Sequence, residues 1–171
     1  MSDDRTPPWD PGPGQPPPSV AVLLARLGHA VQRDLAARLR PLELEPRQFA
    51  LLRLLAGADG QSQRALGAAL EISPNRMVAL VDGLERRGLV ERRAHPTDRR
   101  AHSLGLTANG ARLLERAAAA AADLESALCH PLGGAERGQL LGLLGRLAER
   151  AGGPPGVLPG LAHAPSPDGP R

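Results

Sequence analysis

Residues 96–107, Pro-Thr-Asp-Arg-Arg-Ala-His-Ser-Leu-Gly-Leu-Thr, carry the side chains of this chain best suited to binding chemistry. Asp98, Arg99 and Arg100 fall on a turn between two short runs of strand-forming residues. Like-charged neighbours on a tight turn contribute nothing to folding, so a polyanionic partner is the natural account of Arg99 and Arg100, with Asp98 able to brace one of them. Two further groups lie upstream. Ser62, Gln63 and Arg64 open a short helix, and Ser73, Asn75, Arg76 and Ala79 belong to another. Their chemistry suits phosphate oxygens and base edges: an Arg fork fits guanine, Asn fits adenine, and an Ala methyl can meet the methyl of thymine. The plainer alternative is a solvated helix face with Ser62 and Ser73 as N-caps; capping and phosphate contact are compatible.

Other chemistries find less support. His29, His95, His102, His130 and His163 are scattered without the grouped spacing of a metal site. No Ser-His-Asp set, glycine-rich phosphate loop or carboxylate pair stands out, so no enzyme activity, metal or cofactor is expected. Cys129 is alone, which excludes an internal disulfide and fits a reducing cytosol. Near a helix end it reads as a small core residue, with redox sensing as the alternative. Trp9 and Phe49 are the only aromatics, too few for the stacking platforms that single strands and RNA loops require. No apolar run approaches the ~20 residues of a membrane span, and the polar, proline-rich start lacks a secretory signal, so the expected location is cytoplasmic.

The net charge is only +3, but it is unevenly spread, and all 21 basic residues are Arg. Residues 46–107 hold ten Arg against six acidic residues, while the remainder is slightly acidic. Concentration of positive charge in one segment is the electrostatic footprint of a nucleic-acid partner.

These residues must be positioned by elements, and the pattern supplies them. Residues 1–18 and 151–171 are rich in Pro and Gly and are expected to be disordered tails. Ser19 can cap a first helix with Val20, Leu24, Leu27, Val31, Leu35 and Leu39 on one side, stopped by Pro41. Pro46 starts a second helix, and residues 61–70 form a third. Ser73-Pro74 starts a fourth that Gly88 ends. Residues 89–93 and 101–106 form two strands. Thr107 caps a long alanine-rich helix to about Leu128, and a last helix carries Leu140, Leu143, Leu144 and Leu147. The fold class is therefore mainly α with a small antiparallel β-wing. Residues 19–45 supply an N-terminal dimerisation helix, 46–107 a winged helix-turn-helix DNA-binding domain, and 108–150 C-terminal dimerisation helices. The apolar first, fifth and sixth helices exceed what one small domain can cover, so a second copy of the chain is expected.

The segments Leu80-Val81-Asp82-Gly83-Leu84-Glu85-Arg86-Arg87-Gly88-Leu89-Val90 and Pro96-Thr97-Asp98-Arg99-Arg100, closed by Leu104-Gly105-Leu106-Thr107-Ala108-Asn109-Gly110, resemble the MarR family of transcriptional regulators. The resemblance extends over residues 20–150. It implies a homodimer on a pseudo-palindromic double-stranded DNA operator, usually as a repressor tuned by a small ligand or thiol oxidation, with Arg100 entering the minor groove. It also implies a ligand pocket walled by the first, second and fifth helices. Here that pocket would draw on Leu24, Leu27, Val31, Phe49, Leu52 and Leu113, with His29, Gln32 or Arg53 as polar anchors, and would suit a small hydrophobic or phenolic anion. Three positions depart from the family pattern: Gly67 where Ala is usual, Glu71 where Gly is usual, and Ala79 where a polar residue is common. They leave the operator sequence open. The competing reading is a helical dimer that binds ligands or proteins without binding DNA; the arginine-bearing turn speaks against it.

Overall fold

The computed structural model describes residues 19–57, 60–94 and 102–151. Asp98, Arg99 and Arg100 lie outside the described residues.

Helix α1 (Val20–Leu39) follows Ser19, which has the extended backbone of an N-cap, although its hydroxyl makes no capping bond. Pro41 ends the α-helical ladder, and the chain tightens into a 3-10 turn, Arg40–Leu42, before Glu43 reverses it at φ 50°. Helix α2 (Pro46–Gly57) starts on Pro46, whose missing N–H costs nothing in a first turn. Gln48 Oε1 accepts the Glu45 N–H at 3.0 Å, the side-chain half of a capping box.

Helix α3 (Gln63–Ala69) is capped by Ser62, whose Oγ accepts the Ala65 N–H at 3.2 Å. Glu71 takes the left-handed turn position at φ 54°, where glycine would be unstrained. Helix α4 (Pro74–Arg86) follows, and Gly88 at φ 63° turns the chain into β1 (Val90–Ala94). Strand β2 (His102–Leu106) returns antiparallel, in register from Val90 opposite Leu106 to Ala94 opposite His102.

The third helix begins two residues later than the sequence pattern suggests, because residues 60–62 pair with β2. Gly60 N–H donates to Leu104 O at 3.2 Å, Leu104 N–H donates to Gln61 O at 3.0 Å, and Ser62 bridges Ser103. Thr107 then fixes the start of α5 (Ala108–Cys129): its Oγ1 accepts the Gly110 N–H at 3.0 Å and donates to Gly88 O at 2.6 Å. Helix α6 (Gly134–Ala151) completes the order.

One apolar core runs through these elements. Leu35 and Leu39 from α1 join Leu51, Leu52 and Leu55 from α2, Leu66 from α3, Met77, Val81 and Leu84 from α4, Leu104 from β2, and Ala117 and Leu124 from α5. The C-terminal half of α1 thus belongs to the same core as the helix-turn-helix. Its N-terminal half is different: Val20, Val22, Leu23, Leu24 and Leu27 are exposed, and α6 buries none of its residues, leaving Leu140, Leu141, Leu143 and Leu147 in the open. Among the described residues no helix is long and apolar enough to cross a membrane.

Candidate nucleic-acid interface

The 3.6-residue period divides α4 cleanly. Met77, Val81 and Leu84 are buried, while Asn75, Arg76 and Ala79 are exposed. Val78, an apolar residue that no sequence signal marks, is 43% exposed on the same presented surface and offers methyl groups beside Ala79. Ser73 stands at the N-cap with extended backbone, but its side chain makes no capping hydrogen bond. The expected cap therefore exists in the backbone alone, and the exposed hydroxyl lies at the electropositive end of the helix.

Ser62, Gln63 and Arg64 stand together at the start of α3, with Arg64 exposed. The pairing of residues 60–62 with β2 ties that helix start to the two-stranded sheet, a link that depends on backbone groups and leaves no side-chain signature. Between α3 and α4 opens a cleft of about 570 Å³, lined chiefly by Gly67, Ile72, Pro74, Met77 and Val78 with Gln63 and Arg64.

The arginines around α4 and β1 differ in their engagements. Arg87 donates from Nη1 to Glu43 O at 2.7 Å and so fastens the end of α4 to the α1–α2 connection. Arg86 Nε donates back to Asp82 O at 3.3 Å. Arg93 Nε donates to Glu91 at 2.8 Å. Arg92 reaches α4, where Asp82 and Glu85 both receive its guanidinium; the Asp82 hydrogen bond is the foremost cause that raises its pKa above the ordinary arginine value. Arg86, Arg87, Arg92 and Arg93 thus all make intramolecular contacts.

The residues assigned by resemblance to a ligand pocket occupy different environments in the single chain. Phe49 and Leu52 belong to the closed core, Val31 and Leu113 pack against it, and Leu24 and Leu27 are exposed. Arg53 lies over the Phe49 ring at 5.7 Å, and His29 is exposed. Arg47, in the first turn of α2, has a buried Nη2 that lacks a hydrogen-bond partner among the described residues. Cys129 is half-buried at the end of α5.

Comparison with known proteins fits this geometry. A model of the MarR family matches residues 42–101. A relative from Thauera aromatica, named for transcriptional regulation of the hcr operon, is 37% identical over 102 residues, which cover 60% of this chain and 61% of the relative. The chain therefore spans less than two thirds of that relative's length. Among solved structures, the transcriptional repressor CouR bound to a 23-mer DNA duplex is 35% identical, covers 75% of this chain and 92% of that one, and has a TM-score of 0.69. CouR from Rhodococcus jostii bound to p-coumaroyl-CoA is 31% identical, with 75% and 91% coverage and a TM-score of 0.66. A MarR family protein of Mycobacterium tuberculosis in complex with salicylic acid is 27% identical, with 77% and 98% coverage and a TM-score of 0.64. With a helix-turn-helix, a two-stranded sheet and flanking helices, and with these likenesses, the chain belongs to the MarR family of winged-helix transcriptional regulators.

Proposed function

We propose that this protein is a homodimeric, cytoplasmic repressor that binds a double-stranded DNA operator and releases it when a small hydrophobic or phenolic acid binds. The carrying observation is the presented face of α4: Asn75, Arg76, Val78 and Ala79 are exposed while Met77, Val81 and Leu84 anchor the helix in the core. Such a face supplies both polar and methyl contacts to a major groove. Ser62, Gln63 and Arg64 suit the flanking phosphates, and Asp98, Arg99 and Arg100 suit the backbone or minor groove beyond. The DNA-bound repressor among the similar structures supports this reading.

The exposed leucines of α6 and the apolar start of α1 supply the surface that a second copy would cover. Two copies related by two-fold symmetry would read half-sites about one helical turn apart. The salicylic acid and p-coumaroyl-CoA complexes of similar proteins favour a phenolic effector. Leu24 and Leu27, with the partly buried Val31 and Leu113, are the proposed apolar lining, and Phe49 and Leu52 form the core beneath it. His29, Gln32 or Arg53 are the proposed polar anchors for a carboxylate. The ligand acts by preferring one spacing of the two recognition helices; equal affinity for both would shift nothing.

The test is a gel shift on the DNA upstream of the protein's own gene, with and without salicylate. A retarded complex that competitor DNA of unrelated sequence leaves intact, and that salicylate weakens, is the expected result. Absence of any selective complex would favour a helical module that binds ligands or proteins without DNA.

A further inference from the structure

Strand β1 alternates its faces. Val90 and Arg92 point toward the side packed on α4, where Val90 is buried, while Glu91 and Arg93 point away and pair with each other. The Arg92 guanidinium divides its terminal nitrogens between two carboxylates of α4: Nη2 donates to Asp82 Oδ1 and Nη1 to Glu85 Oε2. Asp82 and Glu85 stand three residues apart and are neighbours on the helix surface. Asp82 lies three residues beyond Ala79 and seven beyond Asn75, so it continues the stripe that those residues present. The Arg92 side chain is 28% exposed against 48% for Asp82 and 39% for Glu85, which makes the cation the most shielded member of the triad.

This arrangement is unlike a phosphate contact. Two carboxylates around one guanidinium leave the triad with a net negative charge, which repels a polyanion. What the triad does supply is geometry, since a planar fork held by two acceptors fixes both position and orientation. We propose that Arg92 is a positioning residue. By bridging Asp82 and Glu85 it locks strand β1 at a set angle to the presented face of α4, so that both meet one DNA surface together. The proposal rests on the DNA-docking reading above, and the experiment separates the two.

Binding of the upstream duplex is followed by fluorescence anisotropy over a series of salt concentrations for wild type, Arg92→Ala, Arg92→Lys and Glu85→Gln. Amide deuterium exchange is recorded on the same proteins without DNA. A positioning role predicts that Arg92→Ala weakens binding at least tenfold while the slope of log K against log salt stays at the wild-type value. Loss of a phosphate contact would instead make that slope shallower by about 0.9. Arg92→Lys should remain weakened, because a single ammonium lacks the fork that spans both carboxylates, and Glu85→Gln should be weakened in the same direction. Exchange of the β1 amides should quicken in Arg92→Ala while the amides of α2 keep wild-type protection. Wild-type affinity in Arg92→Ala, a shallower slope, or unchanged exchange in β1 would each overturn the clamp. Failure of the wild type to bind duplex selectively would overturn the DNA reading instead, and the exchange arm would still decide the clamp.

Discussion

Gly67 and Gly110 present the same substitution with opposite expected signs. A Cβ on Gly67, within α3, would lie 3.4 Å from Ile72 O in the following turn and 3.6 Å from Met77 Cγ of α4, ordinary van der Waals contacts. Gly67→Ala should therefore gain up to about 1 kcal/mol from helix propensity, measured by chemical denaturation. A Cβ on Gly110 would lie 2.0 Å from Leu89 O and 2.9 Å from Leu106 Cδ1. Leu89 O already accepts the Thr107 N–H at 3.1 Å, so this backbone has little room to retreat. Gly110→Ala should cost roughly 1–3 kcal/mol despite alanine's better propensity. A denaturation midpoint equal to wild type for Gly110→Ala would show that the start of α5 is less tightly seated than described. Glu71, at φ 54°, gives a third case: a β-branched Glu71→Val should cost about 1–2 kcal/mol, while Glu71→Gly should be nearly neutral. The departures at Gly67 and Glu71 were legible in the sequence as departures. That one is roomy and the other strained depends on neighbours only the fold supplies.

At the scale of elements, local chemistry was the legible part. Ser62 and Thr107 cap their helices through the side-chain bonds their types suggest, and Gly88 takes the left-handed position expected of it. Each of these signals resides within a few residues of the feature it marks. The unread features are those that bring distant residues together: residues 60–62 on β2, Arg87 on Glu43 O across 44 positions, and Arg92 on Asp82 and Glu85. Ser73 shows the limit of local reading, because the backbone adopts the N-cap conformation without the side-chain bond. The exposed face of α4 was readable from periodicity, apart from Val78. For Arg99 and Arg100, the expected outcome of replacing both by Ala is weaker binding to every duplex. If each neutralises one phosphate, the salt slope should become shallower by about 1.8. Stability should change little if both side chains serve the DNA contact alone. Unchanged affinity with an unchanged slope would remove Arg99 and Arg100 from the interface.

For the whole molecule, the decisive property is the split between a closed core and two helices left apolar in the open. Leu143 is 56% exposed in the single chain, a position that costs nothing to charge unless a second copy covers it. Leu143→Asp should dissociate or unfold the protein, as light scattering and circular dichroism would report; a folded variant that keeps wild-type mass and operator binding would contradict the dimer. The same split explains why the ligand pocket was hard to place from sequence: leucines that fill a core and leucines that line a cleft obey one periodicity. If Arg53, which lies over the Phe49 ring, anchors the acid, Arg53→Gln should blunt the effect of salicylate on operator binding more than it changes affinity without salicylate. The presented face of α4 is the proposed DNA-docking surface. Its most direct test is anisotropy of the upstream duplex with wild type and Arg76→Ala across a salt series. Wild type should bind selectively and with salt sensitivity, and Arg76→Ala should lose about 1–3 kcal/mol of binding at unchanged thermal stability. Equal affinities for the two proteins, with no dependence on salt, would contradict it.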